Sequence, residues 1–113
     1  MRWAALFREW DVVVCPAIST LALAHDHSDR QQRTVDINGQ SCGYDDLLVW
    51  PGVATLPGLP STAIPLEISE AGLPVGVQVI GPFLEDRTSL KFAELVEQAF
   101  GGFVVPPTFA AAV

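Results

Sequence analysis

The clearest pattern of apolar and polar positions lies in the C-terminal half, where a strand pattern passes directly into a helix pattern. Val75, Val77 and Val79 alternate with other residue types, the two-residue period of a β-strand. After Asp86, a favourable N-cap residue, apolar positions recur every three or four residues as in an amphipathic helix. We therefore predict a strand over 75–81 and a helix that ends at Phe100 before two glycines. The apolar stripe of that helix comprises Leu90, Ala93, Val96 and Phe100.

Further elements are predicted ahead of this unit. They are a helix with the stripe Trp3, Leu6, Phe7 and Trp10, a strand over 11–15, a hairpin over 34–42 turning at Asn38-Gly39, a helix over 44–54 and a strand over 61–68. The nearly all-apolar run over 11–15 is typical of an interior strand. Pro51 is expected to break or kink its helix, and Pro65 to confine its strand to an edge or a bulge.

The strand over 61–68 should place Ile64, Leu66 and Ile68 on one face and pair antiparallel with the strand over 75–81. The fold class is therefore α/β: a small mixed or antiparallel sheet with flanking helices, forming a single domain over 1–113. The tail 106–113 is expected to fray.

Composition adds an expectation about partners. Half of the 113 residues are hydrophobic, a high share for a small protein with much surface to cover. We expect an apolar face that a partner covers, most simply a second copy in a homo-oligomer.

Net charge, apolar run length and cysteine content bear on nucleic-acid binding, membrane contact and cellular compartment. The net charge of −7 and the scattered basic residues argue against nucleic-acid binding. The longest apolar runs are far too short to span a bilayer, and the N-terminus does not resemble a signal peptide. We therefore expect a cytoplasmic protein with reduced cysteines and no membrane contact.

Four stretches carry a family resemblance. "GLPVGVQVIGPFLEDRTSLKFAELVE", "FREWDVVVCPAISTLA", "RTVDINGQ" and "LPGLPSTAIPLEI" are similar to the C-terminal end of the amidase signature hydrolases. The resemblance implies the C-terminal portion of that fold and a complete enzyme that cleaves small-molecule amides without metal or cofactor. It also implies that the nucleophilic serine, a second serine and a lysine lie upstream of the matched region, in a missing catalytic lobe. That lobe, as an alternative to a second copy, would pack on the apolar face. Met1 falls within a predicted helix, so we expect a chain cut from a longer one.

The resemblance gives no catalytic, metal-binding or cofactor-binding residue in this chain. Lys91 lies on the polar side of a helix, and Ser61 begins a strand outside any nucleophile motif. Because C-terminal residues of such enzymes help to wall the substrate pocket, Tyr44 and Trp50 are candidates for that wall. The alternative is that these two aromatic side chains fill a groove in the core.

Two further hypotheses concern a metal site and a cysteine nucleophile. His25-Asp26-His27 could hold a metal, or Cys42 could act as a nucleophile with His25 or His27. The leading hypothesis is a non-catalytic C-terminal piece of an amidase. The alternative is an assembly or binding subunit that complements a separate catalytic half.

Overall fold

Strand β5 (Pro74–Ile80) lies at the centre of the main sheet of the computed structural model, which describes residues 3–109. It pairs antiparallel with β1 (Val13–Pro16) on one side and with β4 (Ser61–Ile68) on the other. The remaining elements are α1 (Trp3–Leu6), the hairpin strands β2 (Thr34–Ile37) and β3 (Gln40–Gly43), α2 (Val49–Thr55) and α3 (Asp86–Phe100). Helices and antiparallel strands in small sheets confirm the predicted α/β class.

A β-bulge in β4 changes which residues share a face. Pro65 lies opposite Gly76, but Glu67 lies opposite Val75, so Leu66 is the extra residue. Directly opposite residues point to the same face of a sheet. The prediction that Ile64, Leu66 and Ile68 share a face is therefore wrong, because the bulge reverses the alternation between Ile64 and Ile68. The predicted effect of Pro65 is confirmed, since β4 is both an edge strand and bulged.

Helix α3 covers the face of the sheet that carries the three valines of β5. Thr62, opposite Val79, donates a hydrogen bond from Oγ1 to Ser89 Oγ at 3.0 Å. Ser89 is buried, whereas Leu90 and Phe100 of the predicted stripe are exposed. The helix begins at Asp86 with Glu85 in the N-cap position, one residue earlier than predicted, and Gly101 ends it at φ 88°.

The region between β3 and β4 also departs from the prediction. A 3₁₀ turn over Tyr44–Leu48 precedes α2, so the break falls between Leu48 and Val49 and not at Pro51. Pro51 occupies the first turn of α2, where its missing N–H leaves no helical hydrogen bond unmade.

The first strand is an edge strand, contrary to the interior position that its apolar sequence suggested. Within residues 3–109, β1 pairs only with β5, and Val14 is 49 % exposed. An apolar run predicts that other elements pack on both faces of the strand. It does not indicate whether a second strand is hydrogen-bonded along each of its two backbone edges.

The surface area is large for the length of the chain. The accessible surface is 8635 Å², whereas a compact protein of this mass exposes about 6,000 Å². The radius of gyration is 16.4 Å, against about 13 Å for a compact domain of this size. Few apolar side chains of the described residues are buried. They are Val35, Leu47, Ala54, Val79 and Ile80.

The chain ends lie partly outside the described range. Phe109 N–H donates to Pro106 O at 2.9 Å and closes a turn, while residues 110–113 of the predicted frayed tail are outside the described residues. Met1, on which the expectation of a cut chain rested, is outside them too. Within residues 3–109 no helix is long and apolar enough to cross a membrane.

Replacement of Gly76 by alanine tests the packing between the two long strands. A Cβ at this position would lie 2.9 Å from the carbonyl oxygen of Ile64, which is backbone and cannot turn aside. We expect Gly76→Ala to lower the free energy of unfolding by about 1–3 kcal/mol in urea denaturation.

Gly52→Ala is the matched control. Its Cβ would meet only Leu56 Cδ1 at 3.9 Å, and alanine is the better helix former by about 0.8–1 kcal/mol. An equal loss of stability in both variants would contradict the close approach at Gly76.

Candidate functional site

A cavity of about 400 Å³ opens between the irregular segment after β1 and the turn that starts at Tyr44. We call it the histidine cavity because both histidines of the chain line it. Its other lining residues are Ile18, Thr20, Leu21, Ala22, Leu23, Ala24, Asp26, Arg33, Tyr44 and Leu47. Most of the wall is apolar, with a few polar groups among the lining residues, as is typical of small-molecule sites.

Hydrogen bonds to a backbone carbonyl hold the side chain of Arg33 in the wall of the histidine cavity. Its Nε and Nη2 donate to the carbonyl oxygen of Ser28 at 2.9 and 2.8 Å. The guanidinium carbon lies 5.5 Å from the centre of the Tyr44 ring, within the range of a cation–π contact. Tyr44 N–H donates to Arg33 O at 3.2 Å, so backbone and side chain both attach this ring to the start of β2.

The rings of the two histidines lie close to each other in the wall of the cavity. The ring centres of His25 and His27 are 6.2 Å apart and the rings are nearly perpendicular. Asp26 accepts a hydrogen bond from Ser28 N–H at 2.8 Å, and bonding to Ser28 lowers the pKa of its carboxyl. Among the described residues no three His, Cys, Asp or Glu side chains form a metal-binding group. Cys42, in β3, does not line this cavity.

Trp50 and Tyr44 are not brought to one cavity wall. Tyr44 lines the histidine cavity, whereas Trp50, in α2, does not. The carbonyl oxygen of Trp50 instead accepts a hydrogen bond from Gln78 Nε2 at 2.7 Å. The structure therefore attaches Trp50 to the main sheet through its backbone.

Gln78 joins four elements, and the sequence prediction did not single it out. Its Nε2 also donates to Pro16 O at 3.0 Å, while Oε1 accepts from Ser61 Oγ at 2.9 Å. The side chain is only 5 % exposed. The sequence signal for this role was a glutamine within a strand of valines. A buried amide needs hydrogen-bond partners on both its oxygen and its nitrogen, so such a residue is expected to join neighbouring segments.

Cys15 and Lys91 have environments that do not suit catalysis. Cys15 lies opposite Gln78, and burial raises the pKa of its thiol, which disfavours the reactive thiolate. Cys15 and Cys42 are both free thiols. Lys91 Nζ pairs with Glu94 at 2.9 Å on an exposed side of α3.

Comparison with known proteins identifies the family. The family model described as Amidase matches residues 1–90, a range that includes every strand and the start of α3. The chain belongs to the amidase family. The resemblance found in the sequence is thereby confirmed.

The curated relatives are much longer than this chain. It is 34 % identical over 104 residues to the A subunit of the glutamyl-tRNA(Gln) amidotransferase of Exiguobacterium sp., covering 92 % of this chain and 20 % of the relative. It is 44 % identical over 61 residues to human fatty-acid amide hydrolase 2, covering 53 % of this chain and 11 % of the relative. Fatty-acid amide hydrolase 2-A of Danio rerio is 46 % identical over 57 residues, which cover 50 % of this chain and 11 % of the relative. The amidase-family chain thus spans about a fifth or less of these relatives.

Removal of the Gln78 amide should weaken the whole main sheet. In Gln78→Leu the carbonyl oxygens of Pro16 and Trp50 lose a donor, and Ser61 Oγ loses its acceptor. We expect the free energy of unfolding to fall by about 2–4 kcal/mol, because buried polar groups left without partners are costly.

Gln98→Leu is the control, since Gln98 bonds only Glu94 on the exposed side of α3. Urea denaturation of both variants gives the comparison. A Gln78 variant as stable as the Gln98 variant would contradict the bridging role.

Proposed function

We propose that this chain is the C-terminal part of an enzyme that hydrolyses the carbon–nitrogen bond of an amide. The observation that carries the proposal is the family match over residues 1–90 in a chain that spans only 20 % of the Exiguobacterium relative. The part supplies sheet and pocket wall, while the nucleophile, its base and the oxyanion-binding groups come from outside the described residues.

The side chains within residues 3–109 support a non-catalytic role. A serine hydroxyl needs an adjacent base to become a useful nucleophile. Ser61 donates its hydrogen bond to the amide oxygen of Gln78, which is not a base that takes a proton at neutral pH. Lys91 is engaged with Glu94 on the surface.

The histidine cavity is our candidate for the contribution to the substrate pocket. Tyr44 supplies an aromatic wall, and the apolar residues beside it suit the body of a small-molecule amide. Trp50 belongs to the same region of the chain and holds the start of α2 on the sheet. The proposal includes no metal and no cofactor. It also places the protein in the cytoplasm, where the free thiols of Cys15 and Cys42 would stay reduced.

The large exposed apolar surface favours a second candidate function. A protein that completes a separately encoded catalytic half would carry such a surface, because the two halves must pack together. The exposed apolar residues at the end of α3 and after it are Phe100, Phe103, Val104 and Phe109. Activity that arises only when two purified proteins are mixed would distinguish this assembly role from a piece of one chain.

Ammonia release by the purified chain tests the proposal. With glutamine and a primary fatty-acid amide as probes, we expect no release above that of buffer, since no serine of residues 3–109 is hydrogen-bonded to a histidine or lysine. Sustained release that survives repurification would contradict the proposed role. If such release were lost in Cys42→Ala but kept in Cys15→Ala, a cysteine hydrolase would replace it.

A further inference from the structure

We propose that the tip of the β2–β3 hairpin is a site of spontaneous deamidation, at which Asn38 reacts with the backbone nitrogen of Gly39 at a rate limited by Asp36. The reaction takes place within one dipeptide and consumes only water, so it requires no partner chain and no catalytic residue. Asn38 is the single asparagine of the chain. The inference goes beyond the proposed function and does not depend on it.

The two residues between β2 and β3 are exposed and have left-handed backbone conformations. Ile37 pairs with Gln40, so Asn38 and Gly39 form a two-residue loop, with φ of 54° and 80°. A Cβ added to Gly39 would meet no atom of the described residues within 4 Å, so the space beside it is open. Glycine also has no side chain that would hinder attack by its own nitrogen.

The reaction is an intramolecular acyl transfer. After loss of its proton, the nitrogen of Gly39 bonds to Cγ of Asn38 and closes a succinimide ring. The Cγ–Nδ2 bond breaks, and Nδ2 takes up the proton and leaves as ammonia. Water then opens the ring at either carbonyl carbon, which gives an aspartyl or an isoaspartyl residue at position 38. Nothing is oxidised or reduced, and the ammonia released cannot exceed one equivalent per chain, unlike turnover of an added amide.

Asp36 opposes the first step of this reaction. Its Oδ1 accepts a hydrogen bond from Gly39 N–H at 3.0 Å, so the proton that must leave is engaged. Contacts of this kind between an aspartate and the backbone of a turn are common. The negative charge of the carboxylate also disfavours an amide anion next to it, since like charges repel. Gly39 can therefore attack only when this contact opens.

Both products would change the tip of the hairpin. Each adds a negative charge to a chain whose net charge is −7. The isoaspartyl product also adds a methylene to the backbone of a loop whose length sets the register of β2 with β3. Val35, which is buried and paired with Cys42, lies further from the tip. We therefore expect the modification to loosen the loop and leave the pairing at Val35 in place.

Incubation of the purified chain at neutral pH, followed by peptide mass spectrometry and isoaspartate determination, tests the site. We expect conversion of the amide to the acid at position 38, with isoaspartate among the products. In Asp36→Ala the rate should rise by about two- to tenfold, the factor that loss of one typical hydrogen bond implies. Asp29→Ala is the matched control and should react as the wild type does, because Asp29 lies outside the hairpin and makes no capping hydrogen bond. Equal rates in Asp36→Ala and wild type would overturn the limiting role of Asp36.

Incubation in urea keeps the proposal testable if Asp36→Ala fails to fold. The unfolded wild type lacks the contact between Asp36 and Gly39, so its Asn38 should react faster than in the folded chain by the same factor or more. In urea, Asp36→Ala and wild type should react at the same rate, because the contact is absent from both. Equal rates for folded and unfolded wild type, or no isoaspartate at position 38 under either condition, would overturn the proposal.

Discussion

The pairing of β5 between β1 and β4 is the constraint on which the rest of the described structure depends. Val79 and Ile80 are fully buried in it, and few other apolar side chains of the described residues are buried. Segments far apart in sequence meet at Gln78, whose amide reaches β1, β4 and α2 at once. A buried amide with all these partners fixes the relative position of the three segments, since each lost hydrogen bond would leave a polar group unsatisfied.

This constraint also positions the candidate site. Gln78 holds the carbonyl of Trp50 near the start of α2, and the 3₁₀ turn over Tyr44–Leu48 leads directly into that helix. Leu47 is buried near the end of this turn, and Tyr44 at its start lines the histidine cavity. The other wall, from Ile18 to His27, continues from the end of β1. One wall segment thus follows, and the other precedes, a backbone carbonyl that is bonded to the same glutamine.

Much of the fold was predictable from local patterns. The alternation over 75–80 and the helical period up to Phe100 identified β5 and α3, because these two periods are typical of a strand and of a helix. Asn38-Gly39 identified the hairpin, and its Gly39 has the positive φ of 80° that the turn needs. Pro65 indicated an edge or a bulge, and both are present.

The errors came from features that depend on three-dimensional neighbours. The face of Ile68 depends on one extra residue, which the alternation cannot reveal. Whether the outer edge of β1 is paired depends on which strands lie beside it in the fold and not on its own apolar sequence. Gln78 donates hydrogen bonds to the backbone carbonyl oxygens of Pro16 and Trp50, which are distant in sequence. Because every residue has a backbone carbonyl, the sequence does not show which of them Gln78 will reach.

The central claim, which is our proposal, is that this chain is the C-terminal part of one longer amidase polypeptide whose upstream residues supply the catalytic groups. The most direct measurement is to sequence the DNA upstream of the Met1 codon. The account predicts an open reading frame continuous with this one that encodes a lysine and then a Gly/Ser-rich stretch with two serines. An in-frame stop codon followed by a ribosome-binding site immediately ahead of Met1 would contradict it, because the cell would then make this chain separately.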